Sequence, residues 1–372
     1  EPGRARPAPV TQSPEQLVSG TFAWNMAVPG GSPAGTPPAA QPSPAAVEER
    51  TMEIWSTPQG FVKAAIANTA TTVAAGGGST VTFTAAGHRY EGTINAQNQV
   101  ERVRTWIDNP ILGDTLVETV FSEYRDFGGV QFPARIARSQ GGHPVLDLTI
   151  ANVTANPAVE IAVPDNVRSF TPPAVVAQAE PLAPGVFHIT GGSHHSVAID
   201  QTDHIVVVEG PQSEARSLAV IAKVKETIPN KPIRFLINSH VHFDHSGGLR
   251  TWVDEGATIV THELNRPYYE QAWAAPRTLN PDRLAKSNKA AQFQTFGAEP
   301  LVLTDGKRRI EVHAFAGSGH NDAFALVYLP AEKIAIEVDA YAPPAPNAPP
   351  AATPNPFAVN LYDNILKLKL NV

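Results

Sequence analysis

Apolar and polar residues alternate in short runs from about residue 50 onward. Ser79–Thr84 puts Val81 and Phe83 on one side, and Leu116–Tyr124 alternates in the same way. The latter runs into Arg125-Asp-Phe-Gly-Gly, a turn, before Val130–Ile136, and Val145–Ile150 follows the Gly141-Gly142 turn. A period of two broken by glycine turns predicts an antiparallel meander, with Pro58–Ala67 as a short helix. Pro172 and Pro173 then stop any strand or helix. Residues 48–170 therefore read as a mainly β domain and 171–182 as a linker.

The pattern changes beyond residue 183. Val186–Thr190 and Ser196–Ile199 read as paired strands, and Ile205–Val208 as a buried one. Ser213–Thr227 carries Leu218, Ile221 and Ala222 at helical spacing. Ile233–Asn238 is another apolar strand, Gly248–Glu255 a short helix and Ala257–Thr261 the next strand. Strand and helix in alternation imply parallel pairing with right-handed crossovers. Arg309–Ala314, Phe324–Leu329 and Lys333–Val338 add three strands with short connections. The fold class expected is α+β, a layered C-terminal domain over 183–372 preceded by the mainly antiparallel β domain.

Composition sharpens the ends and removes several functions. Gly and Pro together make about a sixth of the 372 residues, well above average usage. They are dense in residues 1–47, where large apolar side chains are few, so a Pro/Ala-rich extended tail is expected there. The chain has no cysteine, which excludes disulfides, thiolate ligands and a cysteine nucleophile. A net charge of −7 gives no basic footprint, so nucleic acid is not an expected partner. No apolar run reaches the length of a transmembrane segment. Glu1 stands at the start rather than Met, so either a leader has been removed or the chain was cut there.

The chemistry concentrates in Ser239-His-Val-His-Phe-Asp-His-Ser-Gly-Gly248, directly after an apolar strand. In an extended loop residues two apart face the same way, so His240 and His242 can converge on one ion. Asp244 and His245 begin the turn into a helix and point to a second position. Imidazole and carboxylate donors suit zinc. Two further stretches stand out, Gly319-His320-Asn-Asp322 between two strands and Ile334–Asp339, a strand ending in Asp.

Together these resemble the His-x-His-x-Asp-His, Gly-His and bridging-aspartate elements of the metallo-β-lactamase superfamily, over about residues 183–372. The resemblance implies an αββα sandwich with the metal at one edge between its sheets. It implies His240, His242 and His320 on a first zinc, and Asp244, His245 and Asp339 on a second, with Asp339 bridging. His242 stands where a di-iron flavoprotein branch has Glu, which favours hydrolysis over redox chemistry. The family supplies one more second-site histidine after a further strand. Asn360–Val372 looks like the helix and strand start leading to it, but no histidine follows His320. The C-terminal domain is thus expected to lack that strand and ligand, either because the sequence stops short or because a different group completes the second site.

The remaining histidines have structural readings. His88 and His143 are expected in exposed turns. His188, His204, His262 and His313 are expected to serve packing or hydrogen bonding. His194-His195, after Gly191-Gly192, could lie over the site in a hairpin loop. Tyr268, Tyr269 and Trp273 read as core.

The function expected is that of a zinc hydrolase, with Asp244 orienting a metal-bound hydroxide that attacks an ester, lactone, amide or β-lactam carbonyl. The alternatives are a phosphodiester hydrolase of the same superfamily and a metal-binding protein without turnover. The partner is a small-molecule substrate. Location outside the cytoplasm is expected from the Glu1 start, the tail, and the loose resemblance of SEYRDFGGVQFPARI to the curved-sheet domains of exported bacterial lipoproteins.

Overall fold

The computed structural model describes residues 15–26, 39–345, 347, 349 and 353–372. It divides into two units, one of residues 1–107 and 115–173, the other of Asp108–Asp114 and Ala174–Val372.

The first unit begins with three strands, β1 (Glu15–Ser19), β2 (Phe22–Met26) and β3 (Ala40–Pro42). Helices α1 (Val47–Trp55) and α2 (Pro58–Ala67) follow. A seven-stranded meander comes next: β4 (Thr71–Ala75), β5 (Gly78–Ala85), β6 (His88–Ile94), β7 (Val100–Asn109), β8 (Gly113–Asp126), β9 (Gln131–Gln140) and β10 (His143–Thr149). The strands lie in chain order from β4 to β10. One face of this sheet buries Val81, Phe83, Tyr90, Val103, Val117 and Phe121 against Phe61 of α2 and Met52 of α1. A helical turn, α3 (Asp165–Arg168), closes the unit.

Two expectations for this unit need correction. The tail over 1–47 does not hold for its described part. Gln16-Leu-Val-Ser-Gly-Thr-Phe-Ala-Trp24 is an alternating hairpin turned at Gly20, and Trp24 is only 2% exposed. Buried Arg50 ties it down, donating to the carbonyls of Leu17 and Trp24, each at 2.8 Å. Averaged over the proline-rich flanks, that alternation is lost. Residues 1–14 and 27–38 lie outside the described ones. His88 is also not an exposed turn residue. It is buried, with Nε2 2.6 Å from Glu48 and Nδ1 2.8 Å from the Trp106 carbonyl. His143 is exposed at the start of β10.

The second unit is built on a seven-stranded mixed sheet. Its strands are β11 (Gln178–Ala183), β12 (Val186–Thr190), β13 (Ser196–Asp200), β14 (Ile205–Val208), β15 (Ile233–Ile237), β16 (Thr258–His262) and β17 (Phe293–Phe296). β11 to β14 run antiparallel and β14 to β17 parallel. Because β11 pairs with β12, the end of the expected linker 171–182, from Gln178 on, belongs to the sheet. The crossovers are α4 (Glu214–Thr227), α5 (Phe243–Ser246) and α6 (Leu249–Glu255), then α7 (Arg266–Trp273) and α8 (Arg283–Ser287). A four-stranded antiparallel sheet follows, β18 (Leu301–Thr304), β19 (Arg309–Ala314), β20 (Ala325–Leu329) and β21 (Ile334–Ile336). Helix α9 (Pro356–Lys367) ends the chain as given. Leu368–Leu370, expected to start a strand, pack as coil beside α9.

The residues of β14 explain the layering. Ile205 and Val207 face a core shared with Val220 and Val224 of α4 and Trp252 of α6. Val206 and Val208 face the other way, against Leu303, Ile310, Val312 and Val327 of the small sheet. The outer face of that sheet meets Phe357 and Leu361 of α9. Strands covered on both faces must be apolar throughout, and Ile-Val-Val-Val is. The order helix, sheet, sheet, helix is an αββα sandwich.

Candidate metal centre

The parallel strands β14 and β15 end at one edge of the sandwich, and their following loops carry the chemistry, as loops at strand ends usually do. Asn238, wholly buried after β15, shapes the histidine loop. Its Nδ2 donates to the carbonyls of His240 (2.9 Å) and His245 (3.3 Å), and its Oδ1 accepts from Tyr269 Oη (2.6 Å) and Thr261 Oγ1 (3.2 Å). The two glycines after the loop are dictated by close approach. A Cβ on Gly247 would sit 2.1 Å from the Gln212 carbonyl oxygen, and one on Gly248 2.0 Å from Ser217 Oγ.

His240 Nε2 lies 3.0 Å from His242 Nδ1 and 3.1 Å from His320 Nε2. Nitrogens on one tetrahedral zinc with bonds of about 2.05 Å would stand about 3.3 Å apart, so these three converge as ligands would. Asp339 Oδ2 completes the group, 2.9 Å from His320 Nε2, 3.4 Å from His240 Nε2 and 3.1 Å from His245 Nε2. The four residues His240, His242, His320 and Asp339 offer donor atoms all within 4.8 Å of one another. A second such group is His194, Asp244 and His245. Asp339 stands three residues past β21 rather than at its end. The backbone there is fixed by Glu337, which accepts from Ala340 N at 2.7 Å.

The electrostatics leave lone pairs for a cation at His240 and His242, and favour the charged ring at His245. Burial, followed by the neighbouring imidazoles, pushes His240 down to about 3, so its Nε2 is unprotonated at neutral pH. Burial and His320 also lower His242. For His245 burial alone would lower the pKa, but the carboxylates of Asp339 and Glu209 outweigh it and hold the group at about 10. Asp339 is opposed by its own burial yet drawn to about 2 by the surrounding histidines. His245 Nε2 is buried and makes no hydrogen bond of acceptable geometry. An orphaned ring nitrogen facing carboxylates is what a metal ligand looks like when only protein groups are counted.

Residues 189–336 match the family described as the metallo-beta-lactamase superfamily. That part of the chain belongs to the metallo-beta-lactamase superfamily. The match takes in His240, His242, Asp244, His245 and His320 and stops three residues short of Asp339. Among curated proteins, the 2,4-dinitroanisole O-demethylase subunit alpha of Nocardioides sp. (strain JS1661) is 27% identical over 120 residues, 31% of this chain. The match spans 37% of that relative's length. Solved structures with the superfamily fold include a metallo-beta-lactamase from Pontibacter korlensis (19% identity, 43% of this chain and 69% of that one, TM-score 0.33). FIM-1 from Pseudomonas aeruginosa in its mono-zinc form is another (14% identity, 54% and 86%, TM-score 0.38).

Three residues at this superfamily site were not singled out by sequence, or not as ligands. Glu209 accepts from Ser239 N (2.7 Å) with one oxygen and from His245 Nδ1 (2.6 Å) with the other, while only 2% exposed. Its signal was a charged residue directly after four fully buried aliphatic ones. His194 reaches Asp244, its Nε2 3.2 Å from Oδ2. Gln212 supports the loop of His194 through Ser193 Oγ at 2.8 Å. The other histidines stay structural: His204 against Asp203, His313 against Glu311, and His188 against His195 at 3.0 Å. His262 is buried beside Phe296, and Tyr269 stacks with Trp273 in the helix-side core.

Proposed function

We propose that the protein is a zinc-dependent hydrolase that cleaves an ester, lactone, amide or β-lactam bond in a small molecule. The observation that carries this reading is the convergence of His240, His242, His320 and Asp339, with orphaned His245 Nε2 beside them. The donors are imidazole and carboxylate only, the set zinc prefers once thiolate is absent. Zinc held there would supply a Lewis acid and a water acidic enough to attack at neutral pH. His240, His242 and His320 would hold the first ion, and Asp244, His245 and Asp339 the second.

The chain's own groups then have distinct tasks. Ser239 Oγ, 2.9 Å from His240 Nδ1, fixes the tautomer that leaves Nε2 free. Glu209 does the same for His245 through Nδ1. Asp244, with its side chain about a third exposed, is the group we assign to hold the attacking water's proton and pass it to a leaving group. A cleft of about 440 Å³ reaches from His245 and Asp339 past His194 to the edge of β21, lined by Val197, Ile334 and Ile336. Phe243, in the histidine loop itself, is 64% exposed, an apolar surface for a substrate group beside the metal.

The test is a panel of nitrocefin, an acyl-homoserine lactone, p-nitrophenyl acetate, bis-p-nitrophenyl phosphate and an aryl methyl ether, the last because of the Nocardioides relative's name. Zinc-loaded protein should turn over one of the carbonyl substrates, lose that activity to a chelator and regain it with zinc. Turnover of the phosphodiester alone, or protein that takes up no metal, would overturn the reading. Export to the periplasm is part of the same proposal; recovery of the native protein from the cytoplasmic fraction would remove it.

A further inference from the structure

Resting on that reading, we infer that His194, from the hairpin loop between β12 and β13, is a ligand of the second metal. His194 Nε2 and Asp244 Oδ2 stand 3.2 Å apart, Asp244 Oδ2 and His245 Nε2 3.8 Å, and His245 Nε2 and Asp339 Oδ2 3.1 Å. His194, Asp244 and His245 offer donor atoms all within 4.8 Å of one another, and Asp339 Oδ2 adjoins them at His245, imidazole and carboxylate donors of the kind zinc takes. The nitrogen of His245 facing these carboxylates is the buried one without a hydrogen bond. His194 adds a second imidazole beside His245 to the carboxylates of Asp244 and Asp339.

The loop is built to hold that ring. Arg216 of α4, 2% exposed, donates to the carbonyls of Val176 (2.6 Å), Thr190 (3.1 Å) and His194 itself (3.2 Å). Gly191 takes a left-handed conformation, φ +96°, and a Cβ there would lie 2.6 Å from the Val176 carbonyl oxygen. On the far side of the ring, Nδ1 is 2.9 Å from Ser193 Oγ, which accepts in turn from Gln212 Nε2 at 2.8 Å. A ligating histidine ordinarily has its other nitrogen held in this way. Gln212 adopts φ +62° and Glu209 φ +71°, so one turn after β14 bends twice through the left-handed region. It thereby sends one side chain to each of the two histidines facing Asp244. Strain of this kind persists where surrounding structure enforces it and clusters at sites. Neighbouring His195 points away, to His188 at 3.0 Å and the Gly192 carbonyl at 2.9 Å, and provides a matched control.

The experiment titrates Zn²⁺ and Co²⁺ into the full chain and into the variants His194→Ala, His195→Ala and Gln212→Ala, with calorimetry, cobalt absorption spectra and zinc-edge X-ray absorption as readouts. Wild type and His195→Ala should bind two equivalents. His194→Ala should keep the first equivalent unchanged, which also shows it folded, and lose at least about 100-fold in affinity for the second, with one fewer imidazole in the absorption fit. Gln212→Ala should weaken the second equivalent about tenfold, as loss of an outer partner does. A second equivalent unaffected by His194→Ala overturns the assignment. A wild type that binds one equivalent overturns it too while leaving a mononuclear hydrolase standing. A wild type that binds none defeats the proposed function itself.

Discussion

Replacing Glu209 by Gln changes one atom's chemistry at a wholly buried position and leaves size and backbone alone. The left-handed backbone at 209 costs Gln about what it costs Glu, so backbone strain cancels from the comparison. The amide can keep its oxygen on Ser239 N but then turns an N–H donor toward His245 Nδ1, now 2.6 Å from a carboxylate oxygen. Two donors cannot share that contact. Either the bond is lost, or the imidazole moves its proton to Nε2 and cannot ligate through it. A charge-assisted bond of this kind contributes about 1.5–3 kcal/mol. Since 1.4 kcal/mol is a factor of ten, the second metal should bind about 10–100-fold more weakly while the first is unchanged. Two-equivalent calorimetry with zinc measures it, and Glu209→Asp, which keeps the carboxylate, should recover part of the loss. If Glu209→Gln bound both equivalents as wild type does, Glu209 would be a packing residue and the tautomer argument would be wrong.

Three further outcomes are expected. Asp244→Asn should retain the metal on His240, His242 and His320 but lose about 10²–10⁴-fold in turnover, whereas His240→Ala should lose both; metal analysis and rates on the same preparations, at matched free zinc, separate the two, and unchanged turnover in Asp244→Asn would make the second position irrelevant. Gly247→Ala should destabilise the protein by about 3 kcal/mol, the upper range for overpacking, because the Cβ meets backbone oxygens of Gln212 and Phe243 that cannot rotate away; a urea midpoint within error of wild type would contradict this. Asp305 accepts from Thr202 N and Oγ1 and from the amides of Lys307 and Arg308, which outweigh its desolvation and depress its pKa. A depressed carboxylate stabilises above its unfolded pKa of about 3.9 and ceases to as pH falls through the folded value, so the melting-temperature gap to Asp305→Asn should be full at pH 7 and close in strong acid.

The layered second unit was legible because its strands are covered on both faces and its helices on one, and each leaves its own period. The loop from His240 to His245 was legible for another reason: so many ligating side chains in six residues have no structural use. What stayed hidden lies far apart in sequence. Nothing near Glu209 indicates that it holds His245, and the pairing depends on how β14 and β15 lie in register. His194 was noticed as a loop residue over the site, but not that Arg216 and Ser193 would turn its ring onto Asp244. At the other end, the hairpin at Glu15–Met26 was missed because its alternation is shorter than the proline-rich stretch around it.

The donor atoms come from a hairpin before β13, a loop after β15, a loop after β19 and a bend after β21. No stretch that could fold early supplies more than His240 to His245. A cation held by all of them would bind only a chain whose two sheets had already docked, so it would add nothing to the early, local steps of folding. Its effect should fall on unfolding, slowing escape from the finished state in the manner of contacts absent from the transition state. Chelation would then shorten the lifetime of the folded protein far more than it slows refolding, and the ion would act as a clasp on a finished sandwich.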